Sequence, residues 1–553
     1  MRVDTRVRRG DRPGWLALAV VLLCLSSPVA AAAVDAVSGR LAARLDGTSG
    51  DAPLEVHGVP VLGVELSRRL YRERHHALLW VDPVRRDALI RLVANAIEHG
   101  LNPDDYNLET LLALRSGARE GSEASVDRDI LFTESLIRLL YHRRFGKVDP
   151  ASLQATWRFD APLEAGVDPA STLASLLASH ALAQSVARLL RKGPRYRGLQ
   201  AALRRHREIA AAGGWPRVPE GPSLRVGDRD PRVSALRARL QMEGDAEATS
   251  GSRTNYFDGA LEEAVRRFQA RHDLRVDGVV GPATLGALEV PVAARVDQLR
   301  IALDQLRWIV PAIEGRYVVI NVASAEVRVV RDGQDVWQRR AIVGRPLRPT
   351  PILLGEIAYL DINPSWTIPP AILEEDVLPK VRADPTYLDR SRIRVLDASG
   401  RRVDPYGVDW ATLEHVPYTL QQAPGPENPL GAIKFVCPNE HYVFLHDTPH
   451  REQFAARDRR LSSGCVRVED PFAFAALILE DPDDWSEAAL TALAETGETR
   501  RVLLDPPWPV YVLYLTAELD AAGRVRFLRD AYAREAELLR ALDAGVPSVA
   551  GEA

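Results

Sequence analysis

Across the first third of the chain, apolar residues recur every three or four positions. That period predicts amphipathic helices in LSRRLYRERHHALLW (Leu66 to Trp80), RRDALIRLVANAIEHGLNPDDY (Arg85 to Tyr106) and DRDILFTESLIRLLYHRR (Asp127 to Arg144). Gly100 with Pro103, and Gly146, supply stop signals. His75, His76, His99 and His142 read as surface or packing residues of a helical scaffold. From Leu224 to Leu288 a turn followed by a helix repeats, with "DG" turns at Asp258 and Asp277 and Asp258 as an N-cap. From Tyr317 the period changes to two. YVVINVASAEVRVVRDGQDVWQRRAIVGR alternates β-branched and polar residues around an Asp332-Gly333 hairpin turn. Further strand-like pieces are GEIAYLDI, AIKFVCP, YVFLHD and PVYVLYLTAEL, and a polar helix is expected near Arg529 to Leu542.

These patterns predict a multidomain α+β protein. Its parts are a spacer at 34–60, a helical scaffold domain at 61–215, a small three-helix domain at 223–290 and a mainly β domain at 315–545. The β domain carries a Pro-rich insertion at about 369–429, with a helix-like stretch from Leu373 to Arg382. A chain of 553 residues exceeds what one core holds, so several domains are required. With a net charge of −4 and no basic stripe interleaved with aromatics, it does not read as a nucleic-acid binder.

The N-terminus changes the picture of where the protein works. Five arginines precede Trp15, the apolar run WLALAVVLLCL follows, and then SSPVAAAA. This is the pattern of a secretory signal over residues 1–33, too short in its apolar part for a membrane span of about 20 residues. The expectation is export to the periplasm, with a membrane-anchored form if the segment is retained. Without the signal, Cys437 and Cys465 are the remaining cysteines, too few for a disulfide framework.

Candidate chemistry gathers in FLHDTPHREQFAARDRRLSSGCVRVEDP, Phe444 to Pro471. His446 stands at a strand end, and Cys465 follows a Ser-Ser-Gly turn whose Gly464 and Cys465 N–H groups could hold an oxyanion. Arg467 shares a face with Cys465 if VRV is extended. A thiol attacks as thiolate and needs an imidazole or a positive field beside it, so these residues fit cysteine acyl transfer. Spacing alone leaves three other readings open: a small buried cysteine, a Cys437–Cys465 disulfide, and a zinc site drawn from Cys437, His441, His446, His450 and Cys465. The Thr448-Pro449 pair between the histidines disfavours the zinc site.

The segment 223–288, with its paired turns and VRRFQ helix, resembles the three-helix peptidoglycan-binding domain. Asn428 to Pro471, NPLGAIKFVCPNEHYVFLHDTP…LSSGCVRVEDP, resembles the catalytic core of the L,D-transpeptidases, specifically their large exported branch. VGRPLRPTP, INPSWTIPPAI and PVYVLYLTAELDAAGRVRFLRDAY extend the match, and GLNPDDY with FGKVDP resembles that branch's scaffold. The resemblance implies Cys465 as nucleophile, His446 as general base, the Gly464 and Cys465 N–H groups as oxyanion hole, and Arg467 as the arginine after the nucleophile. It makes Ser462, Ser463, Trp366 and Tyr442 candidate substrate-binding residues. Many relatives have histidine where this chain has Ser463, and Cys437 stands where an apolar residue is expected.

The implied reaction cross-links diaminopimelate residues of peptidoglycan stem peptides through a cysteine thioester, releasing D-alanine and using no cofactor or metal. Water as acceptor would give an L,D-carboxypeptidase, and a lipoprotein lysine would give anchoring. A non-catalytic peptidoglycan-binding scaffold is the rival from another class. Expected partners are peptidoglycan stems and glycan and other cell-wall synthesis proteins, with carbapenem-type β-lactams as covalent inhibitors.

Overall fold

The computed structural model describes residues 28–47, 54–116, 122–247, 255–309, 315–413 and 415–547. The charged and apolar stretches of the expected signal lie outside them. Helix Pro28–Asp46 occupies the end of that expected segment and part of the spacer. No helix among the described residues is long and apolar enough to cross a membrane. The chain divides into two compact units: residues 1–147 with 156–191 and 543–553, and residues 148–155 with 192–542.

In the first unit the helices run Val64–Glu73, Pro83–Ala94, Leu108–Ala113, Glu123–Phe145, Pro169–Ala178 and Leu182–Leu189. The first stops before Trp80 because His75 and His76 take positive φ. Glu123–Phe145 is buried along nearly its whole length, charged residues included. Asp129 accepts the Leu79 and Trp80 N–H groups at 2.8 Å and the Tyr71 hydroxyl at 2.6 Å, and burial lifts its carboxyl to about 6. A polar group this deep is tolerated only when its hydrogen bonds are made.

The second unit holds helices Pro194–Ala211 and Val292–Trp308, tied by the Arg307 guanidinium donating to the Tyr196 hydroxyl at 3.0 Å. It also holds the three-helix domain of Arg232–Glu243, Gly259–Arg271 and Pro282–Glu289 around Leu236, Phe257, Val265 and Phe268. Asp258 caps the middle helix by accepting the Leu261 N–H at 2.9 Å. The buried Gln269 amide braces the Asp277-Gly278 turn: its oxygen accepts both turn N–H groups, and its nitrogen donates to Asp277 and to the Val279 carbonyl.

The strands of this unit run β1 Arg316–Asn321, β2 Glu326–Arg331, β3 Gln334–Gly344 and β4 Leu353–Ile362. The insertion supplies β5 Trp366–Thr367, β6 Ile393–Leu396, β7 Arg402–Val403 and β8 Thr419–Gln422. Then come β9 Ile433–Val436, β10 Leu445–His446, β11 Arg460–Ser462, β12 Val466–Val468, β13 Arg500–Leu513, β14 Ala517–Leu519 and β15 Val525–Phe527. One nine-stranded sheet has the order β11-β3-β12-β10-β9-β4-β13-β1-β2, and β2 also pairs with β3, so the sheet closes on itself. The insertion folds as a cap with its own sheet, β5-β8-β6-β7, and its own core around Leu388, Val381, Val395 and Trp410. Its helix-like stretch is a run of helical turns from Pro370 to Ala383, π-helical over Leu373–Val377.

Candidate active site

Strand register decides which side chains meet. Across β13, β4, β9, β10 and β12 the partners align as Arg501, Asp361, Lys434, His446 and Arg467. The row beside it reads Val502, Leu360, Phe435, Leu445 and Val466, all buried. Side chains alternate along a strand, so the apolar row faces the core and the charged row faces the other way. Cys465 precedes Val466 by one residue and therefore shares the charged face with Arg467. It lies beside Phe444, whose carbonyl accepts the Val466 N–H at 3.0 Å. His446 is its diagonal neighbour across adjacent parallel strands.

His446 is 4% exposed, and its Nδ1–H donates to the Asp447 carbonyl. A carbonyl can only accept, so the neutral ring carries its proton on Nδ1 and leaves Nε2 as a proton acceptor. Burial pushes the imidazole down to about 3; the charges of Arg467 and Lys434 add to this, and the Asp447 and Leu430 carbonyls oppose it. The Cys465 thiol is pushed up by burial, against the Phe444 N–H, Lys434 and Arg467, which favour the thiolate. It points its sulfur at the Tyr442 carbonyl, 3.9 Å away. The resting pair is thus a thiol and a neutral imidazole.

The turn before Cys465 is clamped by two hydroxyls. Ser462 Oγ donates to the Cys465 carbonyl at 2.6 Å and accepts the Gly464 N–H at 3.1 Å. Thr350 Oγ1 donates to the Gly464 carbonyl at 2.8 Å. Gly464 has φ of +116°, a conformation that side chains resist. This corrects one expectation. The Gly464 N–H is taken by Ser462, while the Cys465 N–H donates to no protein acceptor among the described residues. Ser462 is buried and shapes the loop.

Ser463 is exposed, and its Oγ accepts from Arg348 Nη1 at 3.1 Å. The same guanidinium pairs with Asp376 at 2.6 Å and with Glu375, both on the π-helical turn of the cap. Tyr442 stands 73% exposed at positive φ beside the thiol, and Trp366 lies in β5, half-buried against the cap core. Arg467 donates to Gln453 at 2.9 Å. Cys437 and Cys465 are free cysteines, Cys437 fully buried, so the disulfide alternative does not hold in this structure. His441 and His450 are exposed beside Glu440 and Glu452. Asp447, buried, accepts the Ala432 N–H at 2.9 Å, and at Gly431 (φ +61°) a Cβ would lie 2.4 Å from its carboxylate.

Sequence reasoning passed over Lys434, Asp361 and Arg348. The signal for Lys434 was a lone charge inside the apolar strand IKFV, which acquires meaning only when register sets it opposite His446.

Three family models match the chain: a scaffold domain over residues 65–203, a "Putative peptidoglycan binding domain" over 229–288, and an L,D-transpeptidase catalytic domain over 315–498. Over 222 residues the chain is 33% identical to a Haemophilus influenzae protein named "Putative L,D-transpeptidase", covering 40% of this chain and 45% of that one. Over 81 residues it is 41% identical to the N-acetylmuramoyl-L-alanine amidase CwlM of Mycobacterium tuberculosis, covering 13% of this chain and 20% of the amidase. The chain therefore spans less than half the length of these curated relatives.

Among solved structures, an L,D-transpeptidase from Xylanimonas cellulosilytica is 17% identical with a TM-score of 0.17, over 53% of this chain and 99% of that one. One from Stackebrandtia nassauensis is 13% identical with a TM-score of 0.20, over 54% of this chain and 96% of that one. Scores this low leave the case to the family models. Residues 315–498 thus match an L,D-transpeptidase catalytic domain, and matches to a scaffold domain and a peptidoglycan-binding domain precede them in the chain.

Proposed function

We propose that the protein cross-links two peptidoglycan stem peptides through a thioester on Cys465, joining diaminopimelate residues and releasing D-alanine. The observation that carries this reading is Cys465 beside His446 on one sheet face, with the imidazole tethered through Nδ1 to the Asp447 carbonyl and the Cys465 N–H without an acceptor among the described residues.

In the first half-reaction Nε2 takes the thiol proton as Sγ attacks the carbonyl of the L-centre of diaminopimelate. The Cys465 N–H stabilises the tetrahedral oxyanion. The peptide C–N bond breaks, His446 returns its proton to the leaving amine, and D-alanine departs. In the second half-reaction the side-chain amine of another stem attacks the thioester, gives a proton to His446, and releases the thiol. A buried imidazole held neutral suits this shuttle, because it starts each half-reaction able to accept a proton.

The cap is the candidate lid that excludes water and favours the amine over hydrolysis. Arg348 supports that role by joining the catalytic turn at Ser463 to the cap acids Glu375 and Asp376. The basic-then-apolar N-terminus supports export to the periplasm, where the substrate lies. Peptidoglycan as substrate is supported by the match at 229–288.

Incubation with purified disaccharide tetrapeptide, with product masses read directly, tests the reaction. A cross-linked dimer with free D-alanine is expected. Tripeptide alone would reassign the protein as a carboxypeptidase, and unchanged substrate would leave a binding scaffold.

A further inference from the structure

Lys434 is the one charged residue of β9, and the mechanism above gives it no task. Its backbone pairs with His446 on one side and with Asp361 on the other. Its ammonium lies 3.8 Å from the centroid of the Phe444 ring, and Phe444 is the residue directly beside Cys465 on the neighbouring strand. A lysine with a free choice would extend to water, since its ammonium is strongly hydrated. Here it is half-buried and laid over an aromatic face towards the thiol.

Burial pulls the Lys434 ammonium below the ordinary lysine value, and the acidic neighbour in its row opposes that shift. Asp361 lies next in the row and is held by a two-pronged Arg501, at 2.8 and 3.1 Å, which itself stacks on Tyr359. Asp361 therefore offers Lys434 a fixed negative neighbour. Across the row from the thiol stand His446, neutral, and Arg467 on the thiol's own strand. The remaining charges near the turn are Arg348, which donates to Ser463, and its two partners Glu375 and Asp376, a group with one net negative charge.

We propose that Lys434 is a positioning residue for the acyl-transfer chemistry, its ammonium holding the Cys465 thiolate against the cost of burial while Asp361 and Arg501 hold the ammonium in place. The assignment rests on Cys465 being the thiol that carries the acyl group. Two cations, Lys434 and Arg467, flank the thiol and the imidazole on the sheet face. They oppose protonation of His446 and favour ionisation of Cys465, so the same field keeps the imidazole neutral and offsets part of the burial cost of forming the thiolate. Arg467 is anchored to Gln453, whereas Lys434 is aimed by packing on Phe444.

The test is the pH dependence of Cys465 alkylation by iodoacetamide in the full chain, followed by mass spectrometry of the peptide containing Cys465. Lys434→Met should move the alkylation midpoint up by about one pH unit or more, since a unit charge within about 12 Å at an effective dielectric of about 20 is worth at least about 1.4 kcal/mol. Lys434→Arg, which keeps the charge, should leave it within a few tenths of a unit. If Lys434→Met does not fold by thermal melting, Lys434→Gln is read in the same way. A midpoint unmoved in the neutral variants overturns the proposal, and so does an equal shift in Lys434→Arg. The readout needs no acyl transfer. A wild type that alkylates at Cys465 yet never takes an acyl group from the tetrapeptide would refute the proposed function while leaving the midpoint comparison standing.

Discussion

His272 and His446 are both buried and both pushed down to about 3, yet they occupy different kinds of place. His272 follows the middle helix of the peptidoglycan-binding domain. Its ring stacks on Phe268 at 3.8 Å, its Nδ1 donates to the Phe268 carbonyl at 2.8 Å, and its Nε2 makes no hydrogen bond, with Glu243 4.0 Å away. Burial is the main cause of its shift, Glu243 opposes it, and Arg295 and Arg271 add to it. His446 has the same Nδ1-to-carbonyl tether but shares an open sheet face with a thiol and two cations. Burial shifts a histidine wherever it occurs. It becomes chemistry only where a reactive partner stands on the same face.

That contrast can be broken most directly at the thiol. Cys465→Ala should abolish transfer to the tetrapeptide acceptor, by product mass, while the melting temperature stays within a few degrees. The paired histidine variants come next. His446→Gln should slow acylation of Cys465 by about 10²–10⁴-fold, the range for a lost general base, with the fold retained. His272→Gln should leave acylation within about threefold and lower the urea midpoint, since it disturbs a packed ring. The reverse outcome would erase the distinction between the two sites.

The pH dependence sharpens it further. Neutral His446 is the competent form and protonates only near pH 3, so the acylation rate should show no inflection near the ordinary histidine value of about 6.5. Stability should behave differently. In the unfolded chain both histidines bind protons below about 6.5, and in the fold they remain neutral down to about 3. Stability is therefore full above about pH 6.5 and falls as pH drops towards 3, by up to about 1.4 kcal/mol per pH unit for each ring. Urea unfolding at pH 7.5 and pH 5 measures this, and His272→Phe should reduce the slope. The smallest effect belongs to Arg348→Ala. Loosening the cap from Ser463 should lower the ratio of cross-linked to hydrolysed product a few-fold, with acylation little changed.

The pairing of Cys465 with His446 was legible because it rests on local pattern: a histidine closing an apolar strand and a cysteine after a Ser-Ser-Gly turn. The helices of the peptidoglycan-binding domain were legible for the same reason, down to the Asp258 cap. What escaped depends on long-range pairing. Lys434 and Asp361 lie 73 positions apart and become neighbours only through the β4–β9 register. The cap's sheet was hidden because β5 and β7 are two residues long, too short for alternation to appear. Strand β13 begins at Arg500 and not near Pro509, because DPPWP reads as a break. Pairing with β4 carries the strand across those prolines through an irregularity between Leu503 and Trp508. The fate of the Gly464 N–H turned on the rotamer of Ser462, which no spacing reveals.

The central claim, that Cys465 carries the acyl group with His446 as its base, is tested most directly by intact-mass and peptide mass spectrometry of the protein during turnover of disaccharide tetrapeptide. The account predicts an adduct of the donor less D-alanine on the peptide containing Cys465, discharged when acceptor stem is added and nearly absent in His446→Gln. Product formation with no adduct on Cys465, or an adduct that forms as fast without His446, would contradict it.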